Sequence, residues 1–238
     1  MLITGAESGI GRATALRAAS EGADIAAVGL DRNGLASLVE DVRATGRRAE
    51  ARRADVADPD ALTGAVDELV GELGSLRVAH ANAGVLPPTT SLTDLDLEEW
   101  NRVLAVDLTG VVITFRAAVR HFEGGGLLLA TGSSLAARPG TGQLAYVAAK
   151  AGVHAIVRSL ALELAPRGIR VNVIVPGLAD TPMTRDIPGH IERGLQGVPL
   201  GELVDPLDVA ALAVHLMTDE ARAVTGSVFT IDAGRTAV

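Results

Sequence analysis

Residues 2–12 read LITGAESGIGR and form the first predicted strand, turn and helix start of the chain. Three residues suited to a strand run into a glycine-rich turn, and a helical pattern follows. Glycine is needed where a Cβ would keep a ligand away from the backbone amides. Amides at the start of a helix favour an anion such as a pyrophosphate. The stretch read alone fits an ordinary turn equally well. The candidate contacts are Gly5, Ser8, Gly9, Ile10 and Gly11.

The rest of the chain alternates short apolar runs with longer amphipathic segments, the pattern of strand-helix units around a parallel sheet. The pattern predicts strands over 2–4, 24–29, 49–54, 76–81, 126–131, 169–175 and 227–231. It predicts helices over 10–21, 33–45, 58–73, 97–121, 145–166 and 205–217. We therefore expect one α/β domain over 1–238, with a Rossmann-like, doubly wound sheet of about seven parallel strands and helices on both faces.

Composition narrows the classes of function. The 238 residues carry a net charge of −8, which disfavours nucleic acid and anionic membranes as partners. Cysteine is absent, so thiolate catalysis and disulfides are excluded, and the five histidines show no metal-ligand spacing. No apolar run is long enough to cross a membrane, and Met1 leads straight into the first strand without a signal-peptide pattern. We expect a cytoplasmic protein without a metal.

Two further segments end predicted strands at the edge where open parallel sheets bind ligands. Asp55 and Val56 follow the third strand, and Asn82, Ala83 and Gly84 follow the fourth. Each segment alone fits a simple turn. Together with the glycine turn they outline one crevice.

Tyr146 is the only tyrosine and Lys150 the only lysine among 21 basic residues, and they lie four positions apart. That spacing puts both side chains on one face of a helix. A phenol that exchanges protons near neutrality needs its anion stabilised, and an adjacent ammonium does this. Ser133 ends the fifth strand, where its hydroxyl could bond a reacting carbonyl oxygen, with Ser134 as the nearby rival. These residues predict catalysis at an alcohol or carbonyl.

The motifs together resemble the short-chain dehydrogenase/reductase family over essentially the whole chain. They are TGAESGIG at 4–11, DV at 55–56, NAGV at 82–85, Ser133, YVAAK at 146–150, Asn172 and PG at 176–177. The resemblance implies hydride transfer between a nicotinamide cofactor and a secondary alcohol or ketone, in a protein that forms tetramers or dimers.

The resemblance also implies roles for single residues. Tyr146 would be the general acid/base, Ser133 would polarise the carbonyl, and Lys150 would bind the nicotinamide ribose and lower the phenol pKa. Further implied cofactor contacts are Asp55 and Val56 at adenine, Asn82, Ala83 and Gly84 near ribose, and Pro176, Gly177 and Thr181 around the carboxamide. The loop 178–204, with Met183, His190 and Leu195, would bind the substrate.

The first departure from the family is Asp107, which stands where the family has its fourth catalytic residue, an asparagine. The family residue works largely through its main-chain carbonyl, so aspartate could keep the role. A buried carboxylate would need a donor or a proton. We therefore expect Asp107 to shift or reduce activity as a function of pH.

The second departure concerns the choice of cofactor. Members that use NAD usually carry aspartate at the position of Gly29, and members that use NADP commonly carry a basic residue at Leu30 or Ser8. Neither is present. Asp31 could turn back to the ribose or could simply cap the next helix, Glu7 adds negative charge, and Arg32 could reach a phosphate. Both NAD and NADP stay open, with a slight preference for NAD.

Two other functions fit the sequence. The first keeps the fold and mechanism and reduces 3-oxoacyl thioesters on an acyl carrier protein with NADPH. The second is a nucleotide-binding regulatory protein with little turnover, for which Asp107 is the support. A binding module has no need of a tuned phenol, which favours the enzyme.

Overall fold

A computed structural model describes residues 1–187 and 189–238. Seven parallel strands form one sheet in the order β3-β2-β1-β4-β5-β6-β7. The strands are β1 (Leu2–Thr4), β2 (Ile25–Gly29), β3 (Ala49–Arg53), β4 (Leu76–Ala81), β5 (Phe122–Thr131), β6 (Ile169–Pro176) and β7 (Val228–Ile231). The predicted doubly wound, single-domain fold is confirmed.

Nine α-helices connect the strands within the described part of the chain. They are α1 (Gly9–Ser20), α2 (Arg32–Ala44), α3 (Pro59–Leu73), α4 (Leu97–Leu104), α5 (Gly110–Val119), α6 (Leu144–Leu164), α7 (Pro182–Arg185), α8 (His190–Leu195) and α9 (Pro206–Met217). Four of these starts follow an aspartate whose side chain accepts backbone N–H bonds, at Asp31, Asp58, Asp96 and Asp205. Such caps satisfy amides that have no partner within the helix.

The central strands are buried on both faces because helices cover both sides of the sheet. Leu2 and Ile3 of β1, and Leu128 and Leu129 of β5, are fully excluded from solvent. This explains why these strands read as continuous apolar runs rather than alternating ones. The strand order reverses between β1 and β4, so their carboxyl ends border a crevice.

Two element predictions need correction. The helix predicted over 97–121 is interrupted, because residues Ala105–Thr109 form one wide π-helical turn between α4 and α5. A π-helical turn contains one extra residue, so its side chains point in directions that a regular α-helix would not give them. The fifth strand begins at Phe122 rather than 126, with Gly124 and Gly125 at positive φ inside it. The sequence pattern missed this start because glycines usually mark turns.

The segment 178–204, predicted as a loop, contains the two short helices α7 and α8. Thr181 and Thr184 form a reciprocal capping box at the start of α7. Within the described residues, every helix is too short or too polar to cross a membrane.

Candidate active site

The crevice at the carboxyl edge of the sheet is a cavity of about 780 Å³. One end lies at Gly29 and Leu30 after β2, and the cavity continues past the glycine turn to Tyr146. Its lining includes most of the predicted site residues: Gly5, Ser8, Gly9, Ile10, Asp55, Val56, Asn82, Ala83, Gly84, Asp107, Ser133, Tyr146, Lys150, Pro176, Gly177 and Thr181. Five residues singled out in the sequence are not among the described residues of this lining: Gly11, Asp31, Arg32, Asn172 and Leu195.

The glycine turn is packed so closely that side chains are excluded. A Cβ on Gly11 would lie 2.1 Å from the Gly5 carbonyl oxygen. Gly5 and Gly9 adopt positive φ values of 61° and 50°, which side chains rarely allow. Ser8 precedes α1 without a side-chain cap bond, so the first amides of α1 face the crevice uncapped by that hydroxyl. The turn therefore has the form of an anion-binding helix start.

A hydrogen-bonded chain holds the glycine turn against β4 and β5. The Asn82 side-chain amide donates to the carbonyls of Thr4 and Gly5, at 3.1 and 3.3 Å. Its oxygen accepts from the Thr131 hydroxyl at 2.9 Å, and that hydroxyl lies 2.8 Å from Nε2 of the fully buried His80. Because Thr131 donates to Asn82, it accepts from His80, which fixes a neutral Nε2–H tautomer. Asn82 thus acts here as a brace for the turn.

Tyr146 and Lys150 lie on one face of α6, as the spacing predicts. Lys150 Nζ is 5.5 Å from the centroid of the Tyr146 ring. Nζ also donates to the Thr131 carbonyl at 3.0 Å and lies 3.1 Å from Oδ1 of Asp107. The three side chains are 9%, 3% and 0% exposed in the order Tyr146, Lys150, Asp107, so the charges interact with little solvent screening.

The wide turn between α4 and α5 carries Asp107 to this position. Its second oxygen accepts the Val85 amide at 3.1 Å, so the carboxylate bridges the ammonium and the segment after β4. A Cβ on Gly84 would lie 2.6 Å from Oδ1, which explains the glycine there. The buried carboxylate is therefore compensated by the charge of Lys150 at one oxygen and by a backbone amide donor at the other.

The buried charges shift one another's protonation. Burial raises the pKa of Tyr146, Lys150 lowers it, and the Asp107 carboxylate raises it again. Together these effects raise the pKa of Tyr146 above its ordinary value. Burial opposes the Lys150 ammonium, but the negative charges of Asp107 and Tyr146 outweigh it and raise the Lys150 pKa. Burial also raises the pKa of Asp107 against the attraction of Lys150.

Ser133 lies directly beyond β5 and is 7% exposed. Its Oγ accepts the Leu135 amide at 3.2 Å, which orients the hydroxyl and leaves its proton for another acceptor. It is near enough to Tyr146 to lower the phenol pKa. Ser134 also lines the cavity but begins the short helical turn Ser134–Ala136.

Asp31 faces α2. Its two side-chain oxygens accept the amides of Asn33 and Gly34 at 3.0 and 3.2 Å. Asp31 therefore acts as the N-terminal cap of α2. Glu7 lies on the other side of this point, and its Oε1 accepts the Leu30 amide at 2.8 Å.

The end of the cavity beyond α7 is lined by cationic side chains. The cations are Arg193 and Arg235. His190, Met183 and Gln143 lie beside them, and burial together with the two arginines lowers the pKa of His190. Gln143, Arg193 and Arg235 lie outside the motifs and were not predicted from the sequence, whereas His190 was predicted from its place in the segment 178–204. Only the fold brings α8 and the C-terminal turn to the same wall.

The crevice suits a dinucleotide in both shape and chemistry. The close-packed turn would be filled by any Cβ at Gly11, and an uncapped helix start faces it. A buried oxygen of Glu7 at the β2 end has no hydrogen-bond partner among the described residues. Anionic phosphates suit the helix start and hydroxyl donors suit the carboxylate. The residues fit a nicotinamide dinucleotide.

The fold and this site define a class: a nucleotide-dependent oxidoreductase with a phenol-ammonium pair. A family model described as "Enoyl-(Acyl carrier protein) reductase" matches residues 5–236. The chain belongs to the short-chain dehydrogenase/reductase family. It is a nicotinamide-dependent oxidoreductase that acts on CH–OH groups and interconverts secondary alcohols and ketones.

Three similar proteins show the range of the family around this chain. A cis-4-hydroxycyclohexanecarboxylate dehydrogenase of Sinomonas cyclohexanicum is 39% identical, covering 100% of this chain and 96% of the relative. A 3-oxoacyl-[acyl-carrier-protein] reductase of Thermotoga maritima is 36% identical, covering 98% and 96%. The crystal structure of a short-chain dehydrogenase of Burkholderia cenocepacia in complex with NADP is 37% identical, with a TM-score of 0.94 over 98% and 96% of the two chains.

Proposed function

We propose that the protein oxidises a ring-borne secondary alcohol that carries a carboxylate, with NAD as the preferred cofactor. The observation that carries the substrate class is the cationic wall at the end of the cavity. The relative from Sinomonas cyclohexanicum, which acts on a hydroxycyclohexanecarboxylate, supports it. The segment 178–204 supplies much of this wall and is the substrate-binding loop in this proposal.

In the proposed mechanism the Tyr146 phenolate takes the alcohol proton. Ser133 donates its free proton to the substrate oxygen and holds that oxygen beside the phenol. An oxidised nicotinamide, when bound in the crevice, would accept the hydride from the alcohol carbon. Burial of Tyr146 and Ser133 excludes water from this exchange, which keeps the proton on a defined path.

Lys150 and Asp107 set the charge around the phenol. The ammonium stabilises the phenolate, and its bond to the Thr131 carbonyl fixes its position. Asp107 holds that ammonium and partly cancels its charge. We expect this balance to place the useful pH for oxidation above neutrality.

Hydrogen bonds to backbone carbonyls hold the wall together around Arg235. Arg138 donates to two carbonyls, of Gly197 at 3.2 Å and of Arg235 at 2.5 Å, and so joins three segments around the pocket. Among the described residues, no salt bridge engages Arg138 or Arg235. Both oxygens of the nearby Asp232 accept bonds from the turn that follows it. The Nε of Arg235 is buried without a bond partner.

Positive charge concentrated in a pocket of a protein with a net charge of −8 favours an anionic ligand. Arginine is suited to a carboxylate because its donors form a planar fork. Burial, with the adjacent Arg138, lowers the pKa of Arg235, while Asp232 opposes the shift. An anion in the pocket would relieve this repulsion.

The test compares two substrates that differ by the carboxylate. We expect kcat/KM with NAD⁺ to be higher for cis-4-hydroxycyclohexanecarboxylate than for cyclohexanol. Arg235→Met should reduce kcat/KM for the acid by about 10- to 100-fold, the range expected for a charge-assisted hydrogen bond, and leave cyclohexanol nearly unchanged. Arg222→Met, at an exposed arginine, is the matched control. Equal losses with both substrates would contradict the carboxylate contact.

Reduction of a 3-oxoacyl thioester is the second candidate, because the Thermotoga maritima reductase is 36% identical over nearly the whole chain. Both reactions use the same phenol. NADPH-dependent reduction of an acetoacetyl thioester faster than oxidation of any cyclic alcohol would favour it.

Three wider expectations belong to the same proposal. We place the protein in the cytoplasm, as a homo-oligomer of two or four subunits, without nucleic acid or membrane as partner. Size-exclusion chromatography with light scattering tests the assembly. A monomer that turns over at the full rate would contradict it.

A further inference from the structure

Glu7 reaches from the glycine turn across to the end of β2. Its Oε1 accepts the amide of Leu30 at 2.8 Å and that of Asp31 at 3.4 Å. Two backbone amides from a neighbouring strand end fix the carboxylate at one place. The side chain thus acts as a bridge between the phosphate-binding turn and the strand beside it.

Gly29 provides the room for this carboxylate. A Cβ on Gly29 would lie 2.0 Å from Oε2 of Glu7 and 2.4 Å from its Cδ. Real atoms do not approach so closely, so a side chain at position 29 and the observed Glu7 conformation exclude each other. Glutamate at 7 and glycine at 29 therefore form one structural unit.

The carboxylate has bonding capacity left. Oε2 is buried and has no hydrogen-bond partner among the described residues. A buried oxygen without a donor is costly, and such atoms in folded proteins usually have a reason. Glu7, Gly29 and Leu30 all line the large cavity, so a bound ligand can supply that donor.

We propose that Glu7 provides, from the glycine turn, the carboxylate that NAD-using relatives place at the end of β2. Its acceptor oxygens receive the hydroxyls of the adenosine ribose, and its charge repels a 2′-phosphate. The inference rests on the proposed NAD-linked function and names the residue that decides between NAD and NADP. It also explains why position 29 is glycine and not the aspartate that members using NAD usually carry there.

The opposing cations are positioned less favourably. Arg12 pairs with Asp41, and Nε of Arg53 donates to the Leu30 carbonyl. Arg32 is absent from the described lining of the large cavity. Leu30 is 52% exposed and offers a phosphate no charge. Glu7, unlike Arg12, Arg32 and Arg53, belongs to the described lining of the cavity.

The experiment is a calorimetric titration of the purified protein with NADH and with NADPH. We expect wild type to bind NADH more tightly. Glu7→Gln keeps the size and an acceptor for the Leu30 amide, and should reduce the NADPH-to-NADH ratio of Kd values by about tenfold, mostly through tighter NADPH binding. Asp31→Asn removes the same charge at the rival carboxylate and should leave the ratio within about twofold.

A pair of substitutions tests the exclusion between positions 7 and 29. Gly29→Asp alone should lose NADH affinity because the new Cβ meets Glu7. Adding Glu7→Ser should restore both the affinity and the preference for NADH. Failure of the second change to rescue the first would overturn the proposed exchange of the carboxylate.

Other outcomes also decide the matter. Equal weakening of both cofactors by Glu7→Gln would show a structural role for Glu7 and overturn the inference, as would a ratio that changes with Asp31→Asn instead. NADH-selective binding that depends on Glu7, without oxidation of any cyclic alcohol, would uphold the inference while contradicting the proposed substrate.

Discussion

Asp107→Asn removes one buried negative charge beside the proposed catalytic pair, Tyr146 and Lys150, and keeps the size of the side chain. The Asp107 carboxylate lies 3.1 Å from Lys150 Nζ, and Nζ lies 5.5 Å from the Tyr146 ring centroid. The carboxylate is therefore within roughly 9 Å of the ring, a distance at which two unit charges interact by roughly 2 kcal/mol at an effective dielectric constant of about 20.

The sign follows from the charges. Burial raises the Tyr146 pKa, Lys150 lowers it and Asp107 raises it. Removing Asp107 leaves the ammonium uncompensated, so the phenolate becomes easier to form. We expect alcohol oxidation on the acidic limb of the pH profile to rise on the order of tenfold, since about 1.4 kcal/mol corresponds to one decade. The limb should move to lower pH.

The sequence offers a direct assay, because Tyr146 is the only tyrosine. The near-ultraviolet absorbance of tyrosinate, followed against pH, reports this phenol alone and needs no substrate. The variant should ionise at lower pH than wild type, in step with the kinetic limb.

Asp67→Asn is the control, because Asp67 pairs with Arg120 and His121 on the exposed surface of the protein. It makes the same chemical change without touching the pair. Identical absorbance titrations and pH profiles for wild type and Asp107→Asn would refute the reasoning, since they would mean that Asp107 already carries a proton.

Three more predictions concern separate parts of the molecule. Burial lowers the pKa of His80 to about 3, so the stability that neutral His80 contributes is complete above pH 6.5 and is lost as the pH falls towards 3. Between these pH values the free energy of unfolding should fall by up to about 1.4 kcal/mol per pH unit. His80→Gln can still donate to Thr131 and should flatten this pH dependence in denaturant titrations. Tyr146→Phe should reduce oxidation by about 10²- to 10⁴-fold, with NADH affinity in calorimetry within about twofold; full activity would remove the phenol from the mechanism. Gly11→Ala drives a Cβ into a backbone carbonyl of the same turn, so it should destabilise the protein by about 1–3 kcal/mol and weaken NADH binding. Gly64→Ala is the matched control, because its Cβ meets no atom within 4 Å, and it should stabilise the protein by about 0.5–1 kcal/mol in thermal unfolding.

The sequence by itself determined the fold and the pairing of Tyr146 with Lys150. Alternating strand and helix periods predicted seven parallel strands because each element must bury one face against the next. The spacing of Tyr146 and Lys150 carries its geometry within one helix, so no distant contact was needed to predict that they meet. Residues such as Asp55 and Asn82 were predicted from their position at strand ends.

Tertiary structure decided the contacts between segments far apart in the chain. Glu7 and Gly29 are neighbours only because β1 and β2 lie side by side, and the wide turn that brings Asp107 to Lys150 interrupts an ordinary helical pattern. The cationic wall joins α8 to the C-terminal turn at Arg235. Local periodicity cannot report such contacts, because they depend on how whole elements pack. The two departures from the family pattern, Asp107 and Gly29, are therefore explained by tertiary contacts and not by the sequence pattern.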